Sequence, residues 1–280
     1  MIDGYYIVDC QVHSIRSHDG KATIDEMCRS AVAHGVDEIG FTEHKDFDPD
    51  DPVVNYFDYE KYMHDIVLAR MHWGSHLKIK AGVEIDYQVW FEDKISNYLE
   101  KHPFDFVMGS VHYVNRVKIM APEYNRSRIA RLAYHDYFVA VRDSVVSGMF
   151  DVVGHLEYAN RLGIAAWGPY HSAEHKRELC TLFDHMIEEG IVLEINTAGL
   201  FHNTGNSYPC LDTVELYASR GGDSVIMGSD AHVPEQVGFR ALDAIDIAQR
   251  AGINNLATFT KRQKTLVPIH RSAALLRKSH

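Results

Sequence analysis

Short apolar runs recur along the chain at Tyr5–Val8, Glu38–Phe41, Leu77–Val83, Phe106–Val111, Asp151–Gly154, Ile191–Ile195 and Ser224–Met227. Their length and composition predict buried strands. Between them the polar and apolar positions alternate with a helical period. Thr23 followed by Glu26 reads as a capping box opening a helix that runs to about His34, with Gly35 placed to end it. Further helices are predicted near Asp58–Trp73, Ser127–Ser147, Ala173–Glu189, Leu211–Ser219 and Gln236–Ala251. Strands alternating with helices imply parallel pairing through right-handed crossovers. Seven such units predict an α/β fold closed, or nearly closed, into a barrel. The rival, an open doubly wound sheet, lacks support because no GxGxxG or Walker-type glycine loop follows the first strand.

No linker rich in Pro, Gly or Ser divides the chain, so one domain is expected over residues 1–268, followed by a basic tail over 269–280. Irregular segments are expected at Asp46–Tyr56, Asn115–Tyr124 and Phe201–Pro209, all beyond strand ends, where loops shape pockets in barrel enzymes. Composition adds exclusions. The apolar share of 46% and charged share of 24% are those of an ordered globular chain. No apolar run approaches the roughly 20 residues that span a bilayer. The opening MIDGYYIVDC lacks the basic region and cleavage site of a secretory peptide, so a cytoplasmic location is expected. Cys10, Cys28, Cys180 and Cys210 form no CxxC pair and read as reduced, packed thiols. A formal charge of −11 argues against a nucleic-acid surface and leaves a small molecule as the expected partner. An anionic substrate stays open, because bound dications reverse the local field.

The strand ends carry the chemistry. Gln11 with His13, His44, Glu84, His112, His155, Glu194, and Asp230 with His232 each close or follow a predicted strand. Gln11 and His13 lie two apart and share a strand face. In an α/β barrel all carboxyl ends converge on one face, which brings these residues together. A single histidine on a strand is more often a rim or core residue, but their repetition at one face predicts a cage for several cations. Imidazole and carboxylate suit zinc, iron or manganese, and the absence of nearby cysteines disfavours a closed structural zinc site.

The order of an HxH-like motif at Gln11 and His13, then TEH, an isolated Glu84, SVH, GH and SDAH resembles the PHP (polymerase and histidinol phosphatase) superfamily of metal-dependent phosphoesterases. The resemblance covers Asp9 to about Gly238. GSVHY, LEINTAG and GSDAHVPEQVG are most similar to the histidinol-phosphate phosphatase branch. The resemblance implies a distorted seven-stranded β/α (TIM-like) barrel holding two or three divalent transition-metal ions. It places Gln11, His13, Glu84 and Asp230 around one ion, Asp19 or His18 with His44 and His232 around a second, and Glu84, His112 and His155 around a third, Glu84 bridging. Two departures stand out. Gln11 replaces the usual first histidine, and Phe201 and His202 stand where the branch generally has a basic residue.

The implied activity is hydrolysis of a phosphate monoester, histidinol phosphate first, by a hydroxide bridging the cations. Arg161 is the candidate phosphate clamp, with His202 and Asn196 also expected at the substrate. His202 is the candidate proton donor to the leaving alkoxide, and Glu84 and Asp230 hold the centre of the chemistry. Asp9 and Glu43 are expected to orient ligand imidazoles, and Glu194 to do the same. Two alternatives stay open: a phosphoesterase acting on a nucleotide or sugar phosphate, and a metal-stabilised binding domain without turnover.

Overall fold

The computed structural model describes residues 4–126, 128–202 and 204–270. Its strands are β1 (Val8–Val12), β2 (Glu38–Lys45), β3 (Lys78–Asp86), β4 (Phe106–Ser110), β5 (Tyr113–Val114), β6 (Val117–Lys118), β7 (Val152–Val153), β8 (Val192–Asn196), β9 (Ser224–Gly228), β10 (Asn255–Thr260) and β11 (Gln263–Pro268). The fold is α/β. Nine strands form one sheet in the order β1-β2-β3-β4-β7-β8-β9-β10-β11, and β5 and β6 pair separately. Every neighbouring pair in the large sheet is parallel except the β10–β11 hairpin.

All seven predicted strands lie in this sheet, which extends beyond them by β10 and β11. The first, expected over Tyr5–Val8, shares only Val8 with β1, which runs on to Val12 because Asp9 and Gln11, polar but buried, belong inside the strand. β9 pairs with β10 at Ser224 and Val225. Past the other end of β9, Ala231 bridges Val12, with the His13 N–H donating to the Ala231 carbonyl at 2.8 Å. The carboxyl ends of β1 and β9, far apart in sequence, are thereby joined.

Helices cover the sheet where periodicity placed them. Thr23 caps Ile24–Ala33 through the predicted box with Glu26, and Asp58 caps Tyr59–Trp73. Tyr62 of the latter donates to both Phe41 and Gly82 carbonyls, pinning helix to sheet. Ala130–Val146, Lys176–Glu189 and Leu211–Ser219 match expected helices. The last is shorter than expected, Ala241–Arg250, because Gly238 and Arg240 take positive φ and break the run from Gln236. Glu92–Lys101 and Asn160–Trp167 are helices the pattern did not reveal, and Pro122–Arg126 forms a short one at the end of a segment expected to be irregular. One buried apolar cluster runs from Ile7 to Ile269. Residues 271–280, most of the predicted tail, and Ser127, the expected start of one helix, lie outside the described residues. Among the described residues no helix is long and apolar enough to cross a membrane.

Candidate metal centre

Register builds the centre. β2 and β3 pair with His44 directly opposite Glu84, so a parallel ladder alone sets an imidazole beside a carboxylate. Glu84 is 1% exposed and reaches four rings. Its Oε1 lies 2.9 Å from His155 Nε2 and 3.8 Å from His112 Nε2; its Oε2 lies 3.1 Å from His44 Nδ1 and 3.5 Å from His13 Nε2. Ring nitrogens and carboxylate oxygens converge in two groups, His13 with His44 and His232, and Glu84 with His112 and His155, each within 4.8 Å. His13 stacks between His44 and His232 at centroid distances of 4.3 and 4.4 Å.

Asp230 and Asp19 complete the rim. Asp230 Oδ1 stands 3.2 Å from His13 Nε2, and Asp19 Oδ2 stands 3.3 and 3.6 Å from the Nε2 atoms of His232 and His44. Asp19 reaches them because the turn at Gly20 folds onto Ser14; a Cβ there would lie 1.9 Å from the Ser14 carbonyl oxygen. Between the two candidates at this position the geometry favours Asp19. His18 is exposed, lies 3.7 Å from Asp19 Oδ2, and approaches His44 only ring to ring at a centroid distance of 5.6 Å. Two candidate ligands sit on strained backbone, His155 at φ 24° and Asp230 at φ 56°, conformations that cost about 1–3 kcal/mol each.

These residues fit metal ions. Gln11 Nε2, His13 Nε2, Asp19 Oδ1, Glu84 Oε2 and His155 Nδ1 are buried without a hydrogen-bond partner. Buried polar atoms are ordinarily satisfied. His13 Nε2 lies 3.5 Å from Glu84 Oε2 and 3.2 Å from Asp230 Oδ1, a spacing that leaves room for a cation among them. The Gln11 carbonyl accepts a hydrogen bond from Asn196 Nδ2, and the opposite amide rotamer would set two NH2 groups against each other. Gln11 keeps its place beside the cage as the expected ligand, with one lone pair of its oxygen taken by Asn196 and the other left free.

The protonation pattern follows from burial and crowding. Burial, with the charges of His44 and His232, pushes His13 down to about 4, and burial pushes His112 down to about 3. Burial opposes charge at His232 too, but Asp19 and Asp230 prevail and push it up to about 9. His44 is likewise raised, burial being outweighed by Glu84 and Asp19. For Glu84 burial is overcome by His44 and His155, which hold the carboxyl well below its usual range; Asp230 is held at about 2, burial being outweighed by His13 and His232.

Around the cage, four buried carboxylates each hold the tip of an adjacent strand. Glu43 on β2 accepts from the Ser14 amide at 3.0 Å and from the Ser14 and Ser17 hydroxyls, beyond β1. Asp86 on β3 accepts from the His112 amide at 2.7 Å, beyond β4. Glu194 on β8 accepts from the His155 amide at 2.6 Å, beyond β7. Asp9 on β1 accepts from the amides of Ser229 at 2.9 Å and Gly238 at 2.7 Å, beyond β9. This corrects the expected role: Asp9, Glu43 and Glu194 hold backbone and hydroxyl groups, not imidazole rings. Glu43 touches the histidines only through Ser17, whose hydroxyl accepts from the His44 amide and lies 3.4 Å from His13 Nδ1. Asp86 was missed, although the spacing in GVEIDY places it on the same strand face as Glu84.

A cavity of about 310 Å³ adjoins the cage, lined by Asp19, Asp230 and His232 of the cage together with Arg161, Phe201 and His202. Burial, with the charge of Arg161, lowers His202 to about 4. It is therefore neutral near pH 7, which argues against the expected role as proton donor. Asn196, expected at the substrate, is fully buried beneath Gln11, its Oδ1 accepting from the Ala198 amide at 2.9 Å. It does not line the cavity.

Fold and site together define an α/β protein with a buried cluster of histidines and carboxylates, able to hold metal ions, at the strand ends of a mostly parallel sheet. The model of the PHP domain matches residues 9–198, and the chain belongs to that family. It is 28% identical to the histidinol-phosphatase of Lactococcus lactis over 90% of this chain and 94% of that one. It is 27% identical to a probable histidinol-phosphatase of Deinococcus radiodurans, over 92% and 98%. A crystal structure of the Lactococcus lactis histidinol phosphate phosphatase complexed with zinc, L-histidinol and phosphate superposes with a TM-score of 0.83 at 26% identity, covering 92% of this chain and 98% of that one.

Proposed function

We propose that this chain is a metal-dependent phosphatase that hydrolyses a small phosphate monoester, with histidinol phosphate as its substrate. One observation carries the reading: Glu84 contacts the histidines of both groups, and that cage shares Asp19, Asp230 and His232 with a cavity that Arg161 also lines. The likeness to histidinol-phosphatases over nearly the whole of both chains supports the choice of substrate. The reading takes residues 1–268 as one distorted seven-stranded barrel closed where Ala231 bridges Val12, supported by the continuous core. A cytoplasmic location accords with the free state of all four cysteines.

Two or three zinc, iron or manganese ions would be held by His13, His44 and His232 with Asp19 and Asp230 beside them, and by Glu84, His112 and His155. When bound, such ions supply Lewis acidity toward phosphoryl oxygens and make water nucleophilic at neutral pH. The chain's own groups supply the rest. Asp19, Glu84 and Asp230 stay ionised because imidazoles surround them. Arg161 offers a planar fork that matches two phosphate oxygens. Phe201 and Phe239, edge to face at 6.0 Å, give the organic half of the substrate an aromatic wall.

A phosphate-release screen over histidinol phosphate, nucleoside monophosphates and sugar phosphates tests the assignment. Histidinol phosphate is expected to have the highest kcat/KM. A hundredfold preference for another monoester would sink the substrate while leaving the phosphatase reading standing. Within the same assay Arg161→Ala should lower kcat/KM at least tenfold, about 1.4 kcal/mol, without changing metal content. Loss of metal in that variant would place Arg161 in the structure of the cage instead.

A further inference from the structure

Two tyrosines, Tyr208 buried and Tyr158 partly buried, stand beside two residues that line the cavity. Tyr158 accepts a hydrogen bond from Arg161 Nη1 at 2.7 Å, with the guanidinium 5.6 Å from its ring centroid. Tyr208 meets His202 Nδ1 with its hydroxyl at 3.4 Å. The two phenol rings pack edge to face, 5.8 Å apart at 79°, and Tyr158 lies 4.7 Å from the ring of His155. Neither platform residue is loosely held. Tyr208 is 1% exposed and exchanges backbone hydrogen bonds of 2.9 Å with Asn196, while Tyr158 precedes the helix bearing Arg161 and is joined to it by a 2.9 Å backbone bond.

We propose that Tyr158 and Tyr208 are positioning residues that set the substrate-facing geometry of Arg161 and His202, with Tyr208 fixing His202 as the neutral tautomer carrying its proton on Nε2. The Tyr208 hydroxyl meets two polar side chains, Thr204 and His202 Nδ1, and the ring nitrogen at 3.4 Å is the acceptor to which we assign its hydrogen. A neutral imidazole that accepts at Nδ1 carries its own hydrogen on Nε2. Nε2 is then the nitrogen left for the cavity that His202 lines. Tyr158 plays the matching part for Arg161: one N–H is spent on the phenol, which fixes the plane of the guanidinium and leaves its other donors for the ligand. The phosphate is thus met by one charged fork and one neutral donor.

The inference rests on the phosphatase reading for its kinetic part alone. Its spectroscopic part uses inorganic phosphate as probe and the metal-loaded full chain labelled with 15N at histidine. His202, assigned by its absence in His202→Gln, should show protonated Nε2 and unprotonated Nδ1 at pH 7, and should shift when inorganic phosphate is added. Tyr208→Phe should abolish that fixed tautomer and raise KM for the best monoester about tenfold with kcat nearly unchanged, the worth of one hydrogen bond to an ionised ligand. Tyr158→Phe should raise KM similarly in the parent but add nothing in an Arg161→Ala background, because the phenol acts only through that guanidinium. A proton on Nδ1, an imidazolium at pH 7, or additive effects of Tyr158→Phe and Arg161→Ala would overturn the proposal. If histidinol phosphate proves not to be a substrate, the tautomer and inorganic phosphate results still decide it.

Discussion

Glu84→Gln should lower kcat/KM by at least a thousandfold, about 4 kcal/mol, and leave the chain with at least one fewer bound cation. Among the described residues Glu84 is the one carboxylate in contact with all of His13, His44, His112 and His155, at 2.9 to 3.8 Å. Glutamine keeps the shape and removes the charge. The amide can offer one neutral oxygen where the carboxylate offers two anionic ones, so it cannot serve both imidazole groups at once. It also leaves His44, whose protonated form Glu84 favours, without its chief partner. Metal content by elemental analysis separates the two effects from misfolding, provided the circular dichroism of variant and parent agree. Turnover within tenfold of the parent with full metal content would show that Glu84 does not join the two groups.

Much of this cage was legible because period-two placement is a strong constraint. A strand followed by His or Glu at its tip can point that side chain only to one of two faces, and in seven parallel strands the tips converge. His44 opposite Glu84 is the simplest case, since parallel register alone brings them together. What the sequence concealed were contacts that depend on the third dimension at finer scale. Gln11 reads as a replaced ligand, but only the fold shows Asn196, 185 residues away, taking one lone pair of its oxygen. Asp9, Glu43 and Glu194 carry the right chemistry to hold imidazoles, yet each reaches the neighbouring strand's tip first. Gly228 is part of the reason: a Cβ there would lie 2.0 Å from Glu194 Oε1, so glycine makes room for that carboxylate under the cage. The hairpins were hidden by their turns. Lys261 and Arg262, like Asn115 and Arg116, all have positive φ, a two-residue geometry usually announced by Asn-Gly or Asp-Gly.

Stripped of metal, the protein should lose stability as pH rises from about 6.5 to 9, while its apparent affinity for zinc should rise at least tenfold per pH unit over the same window. Both follow from one exchange. In the metal-free cage His232 is pushed up to about 9, above the ordinary value of 6.5, because Asp19 and Asp230 outweigh burial. A group with a raised folded-state value stabilises fully below its unfolded value and ceases to do so as pH rises through the folded one. His44, also raised, adds to the same trend. The protons on these rings balance Asp19, Glu84 and Asp230, and a dication that binds the rings must displace them. Each proton released on binding contributes one unit to the slope of log affinity against pH. His13 and His112, held at about 4 and about 3 chiefly by burial, are already deprotonated here and contribute nothing. Thermal unfolding of chelator-treated protein between pH 6 and 9.5, with zinc calorimetry in buffers of differing ionisation heat, reads both halves. A flat affinity profile with no proton release would mean that the rings of His44 and His232 are not the groups the metal takes.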